Sequence, residues 1–541
     1  MALRNQKTML FKIIAIAAVV LFFVLIEIIV RIFSPAQKSS NDIIAIGKMD
    51  FFTEIQHQGE RYIRITNKYG YSDQNFMFRA EKKPNTIRIF CIGGSASAGW
   101  PHPMEERFSS YLEKYLNSSG GSKKFEVINC SAHGFASYRV KNVFNELLAY
   151  EPDAVIVWCG NNEFLEDRRY IASGFRKVVD KLAAKIRTVQ LLKKAFYNPQ
   201  LNGNELDVAQ SFWKKVQQEA VELRSNPELF EKVKAHYRLS LQEIAEEALK
   251  NKVAPLFMTV PVNLRDWEPN VSVCNLRGQD SLRWASLFNE GRKEILTNNF
   301  FEAKQSFTKA VKIEPEHAES WFLLAKTSEM LHDTVNAKMY YSQARDLDYN
   351  PFRALSSFNT IIKQIVLENK GAVLFNADSI FSAHAQRRIP GFDLMLDYVH
   401  PTRNGNVILA WEMANFLNRK VFNGSITPVS LQEFDNSLGD YRDEKDVLVQ
   451  TTRFSLCCLT HQYKSAINFG TWILSNLSPA YLNDPENLPE IQKIRDGVEA
   501  FSMFCSAEDK FLLEKGSQRD INAAKSRLKL FYQKYYPYGT Y

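Results

Sequence analysis

A serine, a histidine and an aspartate of this 541-residue chain are of the types that together make a nucleophilic site. Ser95 follows an apolar run of strand length and stands in a turn built only of Gly, Ala and Ser. His400 and Asp397 lie three positions apart on one predicted loop. A serine hydroxyl attacks a carbonyl when a histidine removes its proton and a third group orients that histidine. The sequence therefore predicts Ser95 as nucleophile, His400 as base and Asp397 as orienting group.

Two other residues are suited to stabilise the negative charge that such an attack creates. Gly134 follows the second predicted strand, and Asn162 follows the third. A glycine backbone N–H and a neutral asparagine amide both donate hydrogen bonds without titrating. We expect these two groups to contribute to an oxyanion hole.

Neighbouring residues compete for several of these roles. The turn that holds the predicted nucleophile is also consistent with a structural serine in a strand-to-helix connection. Ser97 is the rival nucleophile, and Asn161 is the rival amide donor. His102 and His133 are rival bases, although a single histidine beside a site is more often a substrate contact or a satisfied polar residue.

The elements that must position these residues follow an alternating strand–helix pattern. Apolar runs of strand length alternate with helical patterns, and each ends in a polar or glycine turn. Five such runs lie at residues 86–92, 125–129, 154–159, 253–262 and 372–376. The pattern predicts an α/β fold with a parallel, doubly wound sheet and a site at the carboxyl edge of its strands. The polar run 263–267 after the fourth strand either lines that site or forms a loop.

Helical regions interrupt and follow the sheet pattern. Residues 165–250 are charged and predict a lid-like or flanking helical insertion. Residues 284–350 contain a small–large–small pattern that recurs 34 positions on and resembles tetratricopeptide repeats. The repeated positions are Ala303, Phe307 and Ala310, then Ala337, Tyr341 and Ala344. The segment 425–541 is helical, and Tyr463–Ala466 indicates a degenerate helical pair.

The N-terminal apolar segment predicts a membrane anchor. Residues 10–33 reach the roughly 20 residues that a helix needs to cross a bilayer. Arg4, Lys7 and Lys12 lie at its start, which favours a cytoplasmic N-terminus. The rest of the chain is then expected outside the cytoplasm, in a periplasmic or extracellular compartment. A cleaved signal peptide is the competing interpretation.

Charge and cysteine content argue against several kinds of site. The net charge of +8 is spread along the chain without a block of Lys and Arg, which argues against nucleic-acid binding. The seven cysteines include no CxxC pair, so neither a disulfide framework nor a zinc site is indicated. No metal or organic cofactor is expected.

Four stretches of the chain resemble the sequence blocks of the SGNH (GDSL-type) hydrolase family, in the family's order. They are Gly93-Gly94-Ser95-x-x-x-Gly99, Ile128–Gly134, Gly160-Asn161-Asn162-Glu163 and Asp397-x-x-His400-Pro401. The resemblance covers residues 85–265 and 352–420 and implies a three-layer, flavodoxin-like hydrolase domain. It also implies that the Ser95 N–H, the Gly134 N–H and the Asn162 side chain form the oxyanion hole. Gly94 and Glu163 depart from the family pattern, which usually has Asp at both positions.

These expectations define a domain organisation and a function. The predicted segments are a cytoplasmic N-terminus (1–9), an anchor (10–33), a stalk and irregular lead-in (34–84), a hydrolase domain in two parts (85–265 and 352–422), helical repeats between them (266–351) and a helical C-terminal region (423–541). The predicted activity is hydrolysis of acetyl or other short-chain esters of a carbohydrate or lipid. The alternatives are an O-acyltransferase acting on envelope polysaccharide and a catalytically idle, repeat-bearing scaffold. The expected partners are the ester substrate, the membrane and a protein bound by the repeats.

Overall fold

The structure, a computed structural model, describes residues 51–65, 76–118, 123–165, 220–421, 427–442 and 446–536, which belong to one structural unit. The predicted anchor at 10–33 lies outside these residues and stays a prediction. Within the described ranges, no helix combines the length and the apolar character needed to cross a membrane.

The strands of the described residues form two sheets. They are β1 (Phe52–His57), β2 (Glu60–Ile65), β3 (Met77–Arg79), β4 (Thr86–Gly93), β5 (Lys124–Asn129), β6 (Ala154–Trp158), β7 (Ala254–Met258) and β8 (Val373–Phe375). The first three pair antiparallel, and the other five pair parallel in the order β5-β4-β6-β7-β8. Counted within the parallel sheet, this is the 2-1-3-4-5 order of flavodoxin-like folds. The predicted α/β fold with a parallel sheet is confirmed.

Helices surround the parallel sheet and continue to the end of the described chain. They are α1 (Ser95–Ala98), α2 (Phe108–Ser118), α3 (Ser137–Leu147), α4 (Pro227–Lys250), α5 (Gly278–Leu296), α6 (Phe300–Ile313), α7 (Ala318–Met330), α8 (Thr334–Asp346), α9 (Ser356–Glu368), α10 (Ala377–His384), α11 (Arg403–Lys420), α12 (Leu431–Asn436), α13 (Val447–Leu459), α14 (Tyr463–Asn476), α15 (Pro479–Leu482), α16 (Leu488–Leu512) and α17 (Gln518–Tyr535). α2 packs on β5 and α11, while α3, α4 and α9 pack together as a second group.

The helix α4 corrects one prediction about the segment 165–250. The sequence predicted a lid-like or flanking insertion there, but α4 contacts α3, α9 and β7 and is an ordinary layer of the α/β fold. Val233, Tyr237 and Leu241 form part of its buried stripe. The charged residues between them hid this stripe in the sequence. The part of the predicted insertion from 166 to 219 lies outside the described residues.

The small antiparallel sheet replaces part of the predicted irregular lead-in. β1 and β2 are joined by Gln58 and Gly59, which have φ angles of 51° and 79°. Two successive positive φ angles are typical of a tight β-hairpin. Phe52 and Phe78 pack edge-on against Tyr150, with ring centroids 5.4 and 5.5 Å away. The irregular structure predicted for this part of 34–84 is therefore wrong.

Helix pairs fill the region between β7 and β8 and the C-terminal region. α5 packs on α6, and α7 packs on α8. The predicted small–large–small positions of α6 and α8 are buried. Buried residues with the same spacing recur in α14 and α17, at Ala466, Gly470, Ile473, Ala524, Leu528 and Phe531. Because α5 contacts α16, the inserted helices and the C-terminal helices pack together.

The two ends of the helical insertion are joined at its base. The Asp348 carboxylate accepts the backbone N–H groups of Asn270 and Val271 at 2.8 and 3.0 Å. The Tyr349 N–H donates to the Val271 carbonyl at 3.0 Å. Arg353, 3.7 Å from the Asp348 carboxylate, donates to the Asn263 carbonyl at 2.8 Å. These contacts connect the insertion directly to the segment that follows β7.

Candidate active site

Ser95 lies at the carboxyl end of β4, as the first residue of the short helix α1. Its Oγ donates a hydrogen bond to His400 Nε2 at 2.8 Å, and His400 Nδ1–H donates to Asp397 Oδ2 at 2.6 Å. Ser95 is partly exposed, whereas His400 and Asp397 are buried. The structure thus brings the three predicted residues into one chain of hydrogen bonds that reaches solvent at the serine.

The loop that carries Asp397 and His400 is held by its own carboxylate and by the segment after β7. Asp397 Oδ1 accepts the backbone N–H groups of Val399 and His400 at 2.8 and 2.9 Å. Asn263 donates from its side chain to the Asp397 carbonyl at 3.0 Å, and its backbone N–H donates to the Tyr398 carbonyl at 3.0 Å. The polar run 263–267 therefore supports this loop, and Asn263 is its contact residue.

His102, a rival base in the sequence, has a different place in the structure. Its Nε2–H donates to the Pro401 carbonyl at 2.9 Å, and its Nδ1 lies 3.5 Å from the Tyr441 hydroxyl. Burial lowers the pKa of His102 to about 4, so its ring is neutral near pH 7. The Trp100 ring packs edge-on against His400, with centroids 4.8 Å apart. His102 and Trp100 thus fix the position of the base rather than replace it.

Asn162 and the Gly134–Phe135 turn border the peptide that precedes Ser95. Asn162 donates one amide N–H to the Phe135 carbonyl at 3.1 Å. A primary amide has two N–H groups, so the second remains for a ligand. Gly134 has a φ of 71°, in the left-handed region that favours glycine. As the first residue of a helix, Ser95 has a backbone N–H without an acceptor in that helix.

The remaining rival residues have structural partners. Ser97 is buried and lies 2.8 Å from Ser131 Oγ, which donates to its hydroxyl. Asn161 accepts the backbone N–H of Ala354 at 3.0 Å and so connects the end of β6 to the segment before α9. His133 is partly exposed and lies edge-on to the same indole that packs on the base. The hydrogen bond from serine to histidine involves Ser95 and His400.

The structure shows what surrounds Gly94 and Glu163, the two residues that differ from the predicted sequence blocks. A Cβ on Gly94 would lie 2.5 Å from Asn162 Nδ2, so a side chain at this position would displace that amide. Glu163 is fully buried and accepts both the backbone N–H and the hydroxyl of Ser137, at 2.8 and 2.9 Å. Ser137 is the first residue of α3, and a carboxylate at a helix N-terminus is stabilised there. Glu163 therefore anchors α3 to the strand end that carries Asn162.

Three cysteines lie within or directly after β4, β5 and β6. Cys91, Cys130 and Cys159 form no disulfide and are buried. Burial raises the pKa of the Cys91 and Cys130 thiols, which keeps both protonated. In the described part of the chain, no group of His, Cys, Asp and Glu side chains is arranged to hold a metal ion.

Comparison with known proteins gives structural resemblances at low identity. No protein-family model matches the sequence, and no curated protein matches it. Among solved structures, TesA aligns over 33% of this chain, with 16% identity and a TM-score of 0.20. This chain covers 62% of TesA, which is less than two thirds of its length. The esterase EstA from a Pseudoalteromonas species aligns over 62% of this chain and 99% of its own, with 12% identity and a TM-score of 0.27. The acetyl xylan esterase AlAXEase aligns over 61% and 100%, with 12% identity and a TM-score of 0.28.

Proposed function

We propose that this chain is a serine esterase of SGNH type that hydrolyses carboxylic esters. One observation carries the proposal, the hydrogen-bonded chain from Ser95 through His400 to Asp397 at 2.8 and 2.6 Å. The four sequence blocks that resemble the family support it, because each contributes a residue to this site or to its border. The partial exposure of Ser95 gives a substrate access to the hydroxyl.

The geometry supports a two-step reaction. His400 removes the Ser95 proton as Oγ attacks the ester carbonyl. Asp397 orients the imidazole and stabilises the imidazolium that forms. The Ser95 and Gly134 N–H groups and the Asn162 amide stabilise the oxyanion. His400 then protonates the departing alcohol, and the acyl group remains on Ser95.

Water completes the reaction by the same path. His400 removes a proton from water, and the hydroxide that forms attacks the acyl carbonyl. The second tetrahedral oxyanion uses the same donors. When it collapses, the C–O bond to Ser95 breaks, the serine takes back a proton from His400, and a carboxylic acid leaves.

The proposed substrate is an acetyl or other short-chain ester of an envelope carbohydrate or lipid. The apolar segment 10–33 supports this proposal, since an anchored chain with a cytoplasmic N-terminus places the hydrolase domain outside the cytoplasm. A protein of that compartment is the proposed partner of the helical repeats. Digestion of the full-length protein by an added protease in spheroplasts, which have lost any outer barrier but keep the cytoplasmic membrane, tests the orientation. Protection of the domain until the membrane is broken would contradict it.

A hydrolysis assay on the detergent-solubilised full-length protein tests the activity. The substrates are p-nitrophenyl esters from acetate to octanoate, and the variants are Ser95→Ala and its neighbouring control Ser97→Ala. We expect Ser95→Ala to lose hydrolysis and Ser97→Ala to keep it, with the fastest turnover on acetate. Equal activity in Ser95→Ala and the unmodified protein would overturn the assignment of the nucleophile.

A fluorophosphonate probe separates the remaining alternatives, because it reacts with an activated serine whatever the acceptor. Labelling that depends on Ser95, without release of p-nitrophenol, would indicate acyl transfer to a sugar hydroxyl instead of water. Absence of both labelling and hydrolysis would indicate a catalytically idle scaffold and would refute the esterase.

A further inference from the structure

A second cavity, polar in its inner part and mostly apolar in its outer part, lies at the same edge of the sheet as Ser95, between the helical insertion and the strand ends. Its inner part has a volume of about 240 Å³ and its outer part about 550 Å³. Lys338, Ser342 and Ser382 line both parts, so the two adjoin. We call the two adjoining parts together the α8 groove. Its walls are α8, α9 and α10, and its floor is the segment 260–264.

The charge that lines the α8 groove is mostly positive. Lys338, Arg345 and Lys363 line the inner part, and Arg388 lines the outer part. Asp378 is the single carboxylate among the residues that line the two parts. It accepts a hydrogen bond from Thr259 Oγ1 at 2.6 Å.

Among the described residues, three of the four cations form no ion pair, and Asp378 acts on Lys338 only from beyond ion-pair distance. Arg345 forms an ion pair with Asp346 at 2.9 Å. In the described ranges, no carboxylate lies within ion-pair distance of Lys338, Lys363 or Arg388. Lys338 Nζ donates to a neutral group, Ser382 Oγ, at 2.7 Å. Burial lowers the pKa of this lysine, so its ammonium group is partly removed from water.

Hydroxyl groups lie between these cations. Ser342 donates to the Lys338 carbonyl at 2.9 Å, and Thr360 donates to the Ser356 carbonyl at 3.1 Å. Each hydroxyl oxygen keeps lone pairs that can accept a further hydrogen bond. Ammonium and guanidinium groups interspersed with such acceptors suit a ligand that has both anionic groups and hydroxyls. Carbohydrate with acidic substituents has this chemistry.

The floor of the α8 groove connects it to the Ser95 site. Asn263, within the floor segment, holds the Asp397–His400 loop through hydrogen bonds to the Asp397 and Tyr398 carbonyls, each 3.0 Å long. β7, which leads into the floor, is two strands from β4 in the sheet. At the usual spacing of neighbouring strands, this separation is roughly 10 Å. The groove and Ser95 therefore belong to the same edge of the sheet.

We propose that the α8 groove is a subsite for anionic carbohydrate, which takes carboxylate- or phosphate-bearing sugar units of the polymer whose ester Ser95 attacks. The ester step rests on the proposed function, but binding in the groove does not require catalysis. Charge-assisted hydrogen bonds from Lys338, Lys363 and Arg388 hold the anionic groups. The hydroxyls of α8 and α9 accept hydrogen bonds from the sugar.

Titration calorimetry on full-length Ser95→Ala protein tests binding separately from hydrolysis. The probes are hexagalacturonate for carboxylates, a glycerol-phosphate hexamer for phosphates, neutral xylohexaose and hexaglutamate. The groove variant is Lys338→Gln/Lys363→Gln. The control is Lys309→Gln/Lys312→Gln, which removes the same charge from two exposed lysines of α6. We expect the groove variant to weaken binding of one anionic carbohydrate at least tenfold and the control to leave it unchanged.

The preferred anionic probe identifies whether carboxylate or phosphate is the recognised group. Binding of hexaglutamate alone, equal binding of xylohexaose, or equal loss in the control would overturn the proposal. The control variant Lys309→Gln/Lys312→Gln with an intact Ser95 should hydrolyse p-nitrophenyl acetate at the unmodified rate, because its two exposed lysines lie on α6, outside the groove. If binding follows the prediction and no variant hydrolyses the ester, the proposed esterase fails while the anion subsite stands.

Discussion

Replacing Gly94 by alanine tests the contact between the nucleophile turn and Asn162. The added Cβ would lie 2.5 Å from Asn162 Nδ2 and 3.3 Å from the Phe135 carbonyl oxygen. Ordinary contact begins at 3.4 Å, so the amide must move by about 1 Å. The backbone of Gly94 is in the extended region (φ −87°, ψ −163°), which alanine adopts without strain. The substitution therefore acts through the displaced amide.

The expected result is a large fall in kcat with a small change in KM. Loss of one oxyanion donor typically lowers kcat by about 10²- to 10³-fold, or roughly 3–4 kcal/mol of transition-state stabilisation. Moving the amide also weakens its 3.1 Å hydrogen bond to Phe135, which costs about 1 kcal/mol of folding stability. The assay is hydrolysis of p-nitrophenyl acetate by Gly94→Ala, Asn162→Ala and the double variant, with thermal unfolding of each protein.

The double variant tests whether Gly94→Ala and Asn162→Ala act through the same hydrogen-bond donor. If both substitutions act through one donor, the double variant should be no slower than the slower single variant. If the falls in kcat of the two single variants multiply in the double variant, the two substitutions do not act through one donor. A kcat for Gly94→Ala within threefold of that of the unmodified protein would likewise contradict displacement of the Asn162 amide. Asn161→Ala is the matched control, since its side chain accepts the Ala354 N–H and should affect stability rather than kcat.

Three further substitutions test the base, its support and the C-terminal helices. Asp397→Asn should lower kcat on p-nitrophenyl acetate by about 10³- to 10⁴-fold, because the carboxylate at 2.6 Å no longer orients and stabilises the His400 ring. His102 has a pKa of about 4 instead of 6.5, so the unfolded chain takes up a proton first as the pH falls. The contribution of this group to the free energy of unfolding is intact above pH 6.5 and decreases between pH 6.5 and 4, by about 2 kcal/mol at pH 5. Urea unfolding of His102→Asn should therefore show a smaller drop in the free energy of unfolding from pH 7 to 5 than the unmodified protein does. Gly470→Ala places a Cβ 2.4 Å from Val498 Cγ2 and should cost about 1–3 kcal/mol in thermal unfolding, with kcat unchanged.

Specific outcomes would contradict these expectations. A normal kcat for Asp397→Asn would mean that the carboxylate is not part of the reacting site. An equal drop in stability from pH 7 to 5 in His102→Asn and the unmodified protein would exclude a neutral, buried His102. Unchanged unfolding of Gly470→Ala would show that α14 and α16 are further apart than the structure has them.

The strands of the parallel sheet could be predicted because burial on both faces leaves a continuous apolar run. In β4, every residue from Arg88 to Gly93 is buried. The hairpin of β1 and β2 was missed because polar, exposed residues occupy most of its positions. The buried stripe of α4 was missed for a similar reason, since charged residues separate its apolar positions.

The candidate site could be predicted where the chemistry is local in the chain. Asp397 and His400 share a loop, and Ser95 has a characteristic turn. The support of this site depends on contacts between distant segments, which no local pattern records. His102 and Pro401 are 299 positions apart, and Asn263 binds a loop 134 positions away. The sequence shows His102 as a histidine close to Ser95 in the chain. It does not show whether this histidine acts as the base or donates a hydrogen bond to a backbone carbonyl.

The joined ends of the helical insertion have a consequence for how this chain can be altered. Because Asp348 holds Asn270 and Val271, the chain leaves and re-enters the α/β fold at nearly the same place. A fold tolerates exchange of an inserted unit when the two ends of the insertion lie close together. The entropy cost of closing the chain between those ends then depends little on the length of the inserted segment. Replacing residues 272–347 by an unrelated helical hairpin with neighbouring termini should leave β7 and β8 in register. We therefore expect the α/β fold to accept a different helical unit at this point, provided that the new unit also covers the face of α16 on which α5 packs.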